Sequence, residues 1–185
     1  MISGERVMLR GLELEDAKEI LQHWNDLEVQ QFTGRYSPVS LQDEEDWIRA
    51  GWEAREKRVQ HVFGIIEKTS NRLVGTTSFN NISALHRRAG FGIVIWNKTH
   101  WNKGLGSETL NRMLRFGFDT LNLHSISLSV FEYNARARHV YAKLGFQEVG
   151  RLRHHVFYKG TYHDLIYMDI LSTEYEKRTQ TTKKT

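Results

Sequence analysis

The 185 residues suffice for one domain and little more. With 39% hydrophobic and 26% charged residues the composition is that of a globular protein, and its apolar runs fall far short of the roughly 20 residues a membrane span requires. Cysteine is absent, which excludes disulfides, thiolate metal sites and a covalent cysteine nucleophile. The net charge of +4 is carried entirely by Lys177, Arg178, Lys183 and Lys184, so residues 1–176 are formally neutral. That division predicts a single domain over 1–176 and a basic, apolar-poor tail over 177–185, expected to be disordered. A solvated end accounts for the tail better than a nucleic-acid arm, which would bind with a steep dependence on salt. The first residues, Met1 to Arg6, lack the apolar stretch of a secretory signal, and a cytoplasmic protein is expected.

Arg6 to Arg10 alternates and reads as a first strand. Glu15 and Asp16 open a helix with the apolar stripe Ala17, Ile20, Leu21 and Trp24. Gln31 to Val39 contains Gly34 and the only proline, Pro38, and reads as a loop. Ser40 with Asp43 resembles a capping box at the start of a second helix through Trp47, Ile48 and Trp52. Three strands follow, at His61–Ile66, Arg72–Phe79 and Ala89–Trp96. Next come a helix from about Gly106 to Leu121, a strand over Ser125–Phe131, and a short helix over Ala135–Leu144. Strands near Gln147–Tyr158 and Tyr162–Leu171, turned by Lys159-Gly160, close the chain. The order β-α-α-β-β-β-α-β-α-β-β implies an α/β (α+β) fold, a mixed sheet flanked by helices.

Chemistry shows first at Trp101-Asn102-Lys103-Gly104-Leu105-Gly106-Ser107, a loop between a strand and a helix start. Unpaired N–H groups and the positive end of the helix dipole make such a place a seat for phosphate, and glycines allow close approach. The segment is neither a P-loop nor a dinucleotide fingerprint, and a tight packing turn explains it equally well when taken alone. A second stretch places Asn134 at a strand end and Tyr141 seven residues later, nearly two helical turns, so both project to one side. Spacing alone leaves Asn134 open to a plain N-cap role and Tyr141 to core packing.

Together the two stretches resemble the GNAT superfamily of acetyl-CoA-dependent N-acetyltransferases, whose element order is similar to this one over about residues 5–171. The family's Gln/Arg-x-x-Gly-x-Gly/Ala loop is matched at Gly104 and Gly106, with Trp101 in the Gln/Arg place. The Asn-x-x-Ala-x-x-x-Tyr-x-x-x-Gly-Phe pattern is matched from Asn134 to Phe146. The resemblance is to the branch of ribosomal-protein N-terminal and polyamine acetyltransferases, and it implies a mostly antiparallel, twisted sheet. It implies that the strand Ile93-Val94-Ile95 pairs with pantetheine, beside a splayed neighbour, and that residues Trp101 to Ser107 hold the pyrophosphate. It also assigns Asn134, Arg138 and Lys143 to the cofactor, acetyl-CoA, with no metal.

The same resemblance implies direct attack by a primary amine, with Tyr141 as general acid for the thiolate and Asn134 as a positioning group. Many relatives carry a glutamate base where this chain has Gly90. A water relay to Asp164, Glu132 or a histidine stays open. The acceptor expected is a protein N-terminal α-amine, bordered by Phe32, Tyr36, Tyr158, Tyr162 and Asp164, since an α-amine needs a weaker base than a polyamine. A polyamine is the alternative, favoured if the acidic run Asp43 to Asp46 lines the entrance instead of capping its helix. A non-catalytic CoA-binding module is the other alternative. No membrane or specific nucleic-acid partner is expected, and a homodimer is compatible with the fold.

Overall fold

In the computed structural model, which describes residues 1–35 and 37–182, eight strands form one open sheet. They are β1 (Ile2–Ser3), β2 (Val7–Arg10), β3 (His61–Glu67), β4 (Arg72–Ser83), β5 (Arg88–Ile95), β6 (Ser125–Phe131), β7 (Gln147–Tyr158) and β8 (Thr161–Leu171). Their spatial order is β1-β2-β3-β4-β5-β6-β8-β7, antiparallel throughout except for the parallel pair β5 and β6. The mixed, mostly antiparallel sheet expected from the sequence is therefore present.

The sheet is covered on both faces. One face carries α1 (Asp16–Trp24), the single turn α2 (Leu27–Gln30) and α3 (Leu41–Glu56). The other carries α4 (Leu105–Arg115), which widens into a π-helical turn over Phe116–Thr120, with α5 (Ala135–Lys143) and α6 (Ser172–Thr182). Strand alternation divides the core accordingly: Val74 belongs to the α4 side and its neighbour Leu73 to the α1–α3 side. Ser40 and Asp43 form the expected capping box on α3, with Ser40 Oγ accepting from the Asp43 amide at 3.2 Å and Asp43 accepting from the Ser40 amide at 2.7 Å.

At the centre of the α4 side, Phe79 is fully buried, edge-on to Phe91 at 6.1 Å and stacked near Phe116 at 6.4 Å. Phe79→Ala should cost about 3–5 kcal/mol of stability, read as a fall in the denaturant midpoint. A loss under about 1 kcal/mol would mean that its neighbours collapse into the space.

The chain end departs from expectation. Where a disordered tail is predicted from Lys177, α6 runs to Thr182. Propensity did not announce this helix; docking orders it. Tyr175 is buried and stacks on Phe118 at 4.8 Å, and Arg178 donates to Asn111 at 3.1 Å. Of the sequence expectations, those for Tyr36 and for residues 183–185 lie outside the described residues. Among the described residues no helix is long and apolar enough to cross a membrane.

One irregularity positions everything that follows. β5 and β6 pair only at Arg88–Ser125, Ala89–Ile126 and Gly90–Ser127. Beyond Gly90 the two strands separate, β5 running on to Ile95 and β6 to Phe131.

Candidate active site

The gap between the strands opens into a cavity of about 890 Å³. β4, β5 and the end of β6 form its sides, the first turns of α4 and α5 border it, and side chains of α1, α2 and α3 close its far wall. Ile93, Val94 and Ile95 line it along the stretch of β5 that β6 no longer covers.

Asn102, Gly104, Leu105, Gly106 and Ser107 line the cavity where α4 begins. Gly104 has φ +76°, a left-handed conformation that favours glycine, and a Cβ there would sit 3.0 Å from the Arg6 guanidinium. Arg6 braces the loop: its Nη1 donates to the Lys103 carbonyl at 2.8 Å and its Nε to Glu108 at 3.0 Å. Glu108 in turn accepts the Arg6 amide at 2.9 Å. A Cβ at Gly106 would meet nothing within 4 Å, so the approach to this helix start is open. Unpaired N–H groups at a rigidly held, unobstructed helix start suit a pyrophosphate. The Arg6–Glu108 brace escaped the sequence reading, because its partners lie 102 positions apart.

Trp101, in the Gln/Arg place of the motif, also lines the cavity, with its polar edge already engaged. Its indole donates to the Ile95 carbonyl at 2.6 Å, and the Arg136 guanidinium lies 4.1 Å over its ring. Burial lowers the pKa of Arg136, the opposite of what a carboxylate partner would do. Arg136 was also missed, although one signal exists. A cation in the first turn of a helix opposes the dipole, and α5 has no acid there to compensate.

Asn134 and Tyr141 both line the cavity, on the side predicted by their spacing. Asn134 Oδ1 caps α5 by accepting from the Ala137 amide at 3.2 Å. Tyr141 is buried at the core edge, 5.9 Å from the Phe146 ring, and burial pushes its phenol up to about 12. At Gly90, a Cβ would collide with the Asn80 side-chain oxygen, so Asn80 fills the space where a strand glutamate would begin.

Other expected residues stand back from the cavity wall. Phe32 lines it, but Tyr158, Tyr162 and Asp164 do not. Tyr158 stacks on Tyr133 at 4.7 Å and donates to Gln31, next to Phe32. Tyr162 is 59% exposed and packs with Phe157. Asp164 accepts from the His154 amide at 3.0 Å and from Arg151 at 3.2 Å, which together hold its carboxyl below the usual range. Glu132 accepts from the Asp164 amide at 3.2 Å and is likewise absent from the wall. His100 and His139 are the histidines that line it. Lys103 and Lys143 lie outside the wall, and Arg138 reaches back to the Glu132 carbonyl at 3.3 Å.

Residues 6–147 match the model of the acetyltransferase (GNAT) domain. The chain belongs to this family. GNAT relatives of similar length include an uncharacterized N-acetyltransferase, p20, of Bacillus licheniformis, 32% identical over 92% of this chain and 96% of that one. The spermidine N(1)-acetyltransferase of Escherichia coli K12 is 32% identical over 95% of this chain and 91% of that one. Among solved GNAT structures, the spermidine N-acetyltransferase of Vibrio cholerae in complex with CoA and spermine superposes with a TM-score of 0.82. It is 29% identical, over 94% of this chain and 99% of that one. That enzyme has also been solved as a dodecamer, at a TM-score of 0.75 and 28% identity over 95% of this chain and 99% of that one. The protein is an acetyl-CoA-dependent N-acetyltransferase of the GNAT type.

Proposed function

We propose that the acceptor is a small aliphatic polyamine, acetylated directly by acetyl-CoA on a primary amine. The observation that carries this reading is the fate of the acidic run on α3. Asp43 caps the helix, whereas Glu44 is buried and lines the cavity. It is the one carboxylate among the described residues of the wall. Asp164, the acid expected to meet a peptide's α-amine, is engaged by Arg151 and the His154 amide instead. The spermidine acetyltransferases among the relatives support the same class of acceptor. A protein N-terminus, the acceptor expected from sequence, has less in its favour.

In this reading the peptide groups of Ile93 to Ile95 orient the pantetheine arm, and the amides from Gly104 to Ser107 hold the pyrophosphate. Acetyl-CoA supplies an activated acyl group. A backbone N–H near Val94 stabilises the oxyanion that forms when a neutral amine attacks. Tyr141 donates the proton that the departing sulfur requires, and Asn134 fixes the start of α5 and hence the place of Tyr141. Asn80, at the position opposite Gly90, has no basic group, so the amine loses its proton to solvent or through a histidine of the wall.

Competition between spermidine and peptides with free Ser, Ala or Met N-termini tests the acceptor class. Spermidine should win on kcat/KM by at least about tenfold, corresponding to roughly 1.4 kcal/mol of transition-state binding. A peptide that wins by that margin would overturn the reading and restore the N-terminal one.

A further inference from the structure

We propose that Glu44 is the residue that selects the acceptor: its carboxylate receives the ammonium that does not react, so that the preferred acceptor carries two amines along one aliphatic chain. This rests on the polyamine reading and assigns its charge recognition to a single side chain.

The four acids at the start of α3 divide by partner. Asp43 belongs to the capping box, while Glu45 and Asp46 pair with Arg49 at 3.3 and 3.0 Å. Glu44 has no hydrogen-bond donor or ion pair among the described residues, yet it is only 3% exposed. One turn before the buried Ile48, it lies on the inward face of the helix. A buried carboxylate without a partner is costly, and a wall of a ligand cavity is where such a cost is tolerated, because the ligand supplies the missing cation. Burial pushes the Glu44 carboxyl upward, and the nearby Arg35, which among the described residues forms no ion pair with it, opposes that shift without reversing it.

Its surroundings suit an ammonium. Trp24 and Trp47 line the same wall, and the Arg35 guanidinium stands 5.9 Å over the Trp24 ring. Arg35 also lines the cavity, so a cation already occupies an aromatic face beside the carboxylate, without closing an ion pair to it among the described residues. An aromatic face next to a carboxylate attracts alkylammonium groups through both cation–π and charge.

The chemistry decides which amine goes there. The nitrogen that attacks the thioester must be neutral, and a carboxylate favours the protonated form of any amine it touches. Glu44, on the α3 wall, is therefore suited to the amine that stays charged. The attacking amine belongs by Tyr141, on the α5 wall of the same cavity.

The test compares the wild type, Glu44→Gln and Glu44→Asp with 1,4-diaminobutane, spermidine and butylamine, the last a monoamine with the carbon chain of the first. Wild type should prefer the diamine on kcat/KM. Glu44→Gln should raise KM for the diamine and for spermidine about tenfold or more, with a much smaller change in kcat, so that the preference over butylamine collapses. Glu44→Asp, which keeps the charge, should restore part of the preference. The rise in Tm on adding CoA controls for folding of each variant. A wild type active on spermidine whose Glu44→Gln variant keeps the same diamine preference overturns the role of Glu44 and leaves the polyamine reading intact. A wild type that acetylates peptides and none of the three amines overturns both.

Discussion

Tyr141→Phe should lower turnover about 10²–10⁴-fold while leaving CoA binding intact, the loss expected for a general acid removed with its ring kept. The proposed role is that of an acid and not of a nucleophile: burial pushes the phenol up to about 12, so it keeps its proton near neutral pH. A free thiol of pKa about 8.5 is too weak a base, once ionised, to take that proton in water. In the proposed mechanism the sulfur departs beside the buried phenol, where desolvation would raise the basicity of a thiolate as it raises that of the phenolate. The donor and the leaving group thus shift together. Single-turnover measurement of thiol release separates this step from binding. Turnover within about twofold of wild type would leave Tyr141 with packing against Phe146 as its whole function.

Gly104→Val should abolish the rise in Tm that CoA produces by mass action in the wild type. Two effects combine. The backbone at φ +76° disfavours a β-branched residue, and the added side chain enters the space 3.0 Å from the Arg6 guanidinium. Displacing Arg6 releases the Lys103 carbonyl and the Glu108 carboxylate, which together hold the start of α4 in place. The unliganded protein should remain folded, since of this segment only Leu105 belongs to a core cluster, with Trp101 packed against the edge of the other. An undiminished Tm rise in a folded variant would move the phosphate seat elsewhere.

Much of this was legible in the sequence because it is local. The box at Ser40 follows from spacing within a few residues, and the two glycines at the start of α4 and the pair Asn134 and Tyr141 stand as short local patterns whose chemistry came from the resemblance to the GNAT superfamily. What escaped depends on distant partners. α6 is helical because Tyr175 finds Phe118, a contact made across the fold. Asn80 explains Gly90 only once β4 and β5 are paired. Glu44 lay between these cases. Its place four residues before Ile48 could have been read as inward-facing, but a run of four acids at a helix start invites a reading in terms of the dipole. The closing hairpin misled for a related reason: Tyr158 packs onto the loop at Gln31, one layer behind the cavity wall, so proximity to the entrance did not make it a lining residue.

The separation of β5 from β6 after Gly90 has a consequence for how acetyl-CoA is held. In the proposed binding mode, peptide groups of β5 on that side exchange one set of hydrogen-bond partners for another when the pantetheine amides arrive, and such exchanges contribute little net free energy. The ladder therefore acts as a ruler more than as an anchor. It sets how far along the strand the thioester comes to rest, in steps fixed by the strand's own repeat. Trp101, by claiming the Ile95 carbonyl, closes that ruler at one end. On that reading affinity comes from the proposed phosphate seat, and the strand determines which atom of the long, flexible arm would stand beside Tyr141.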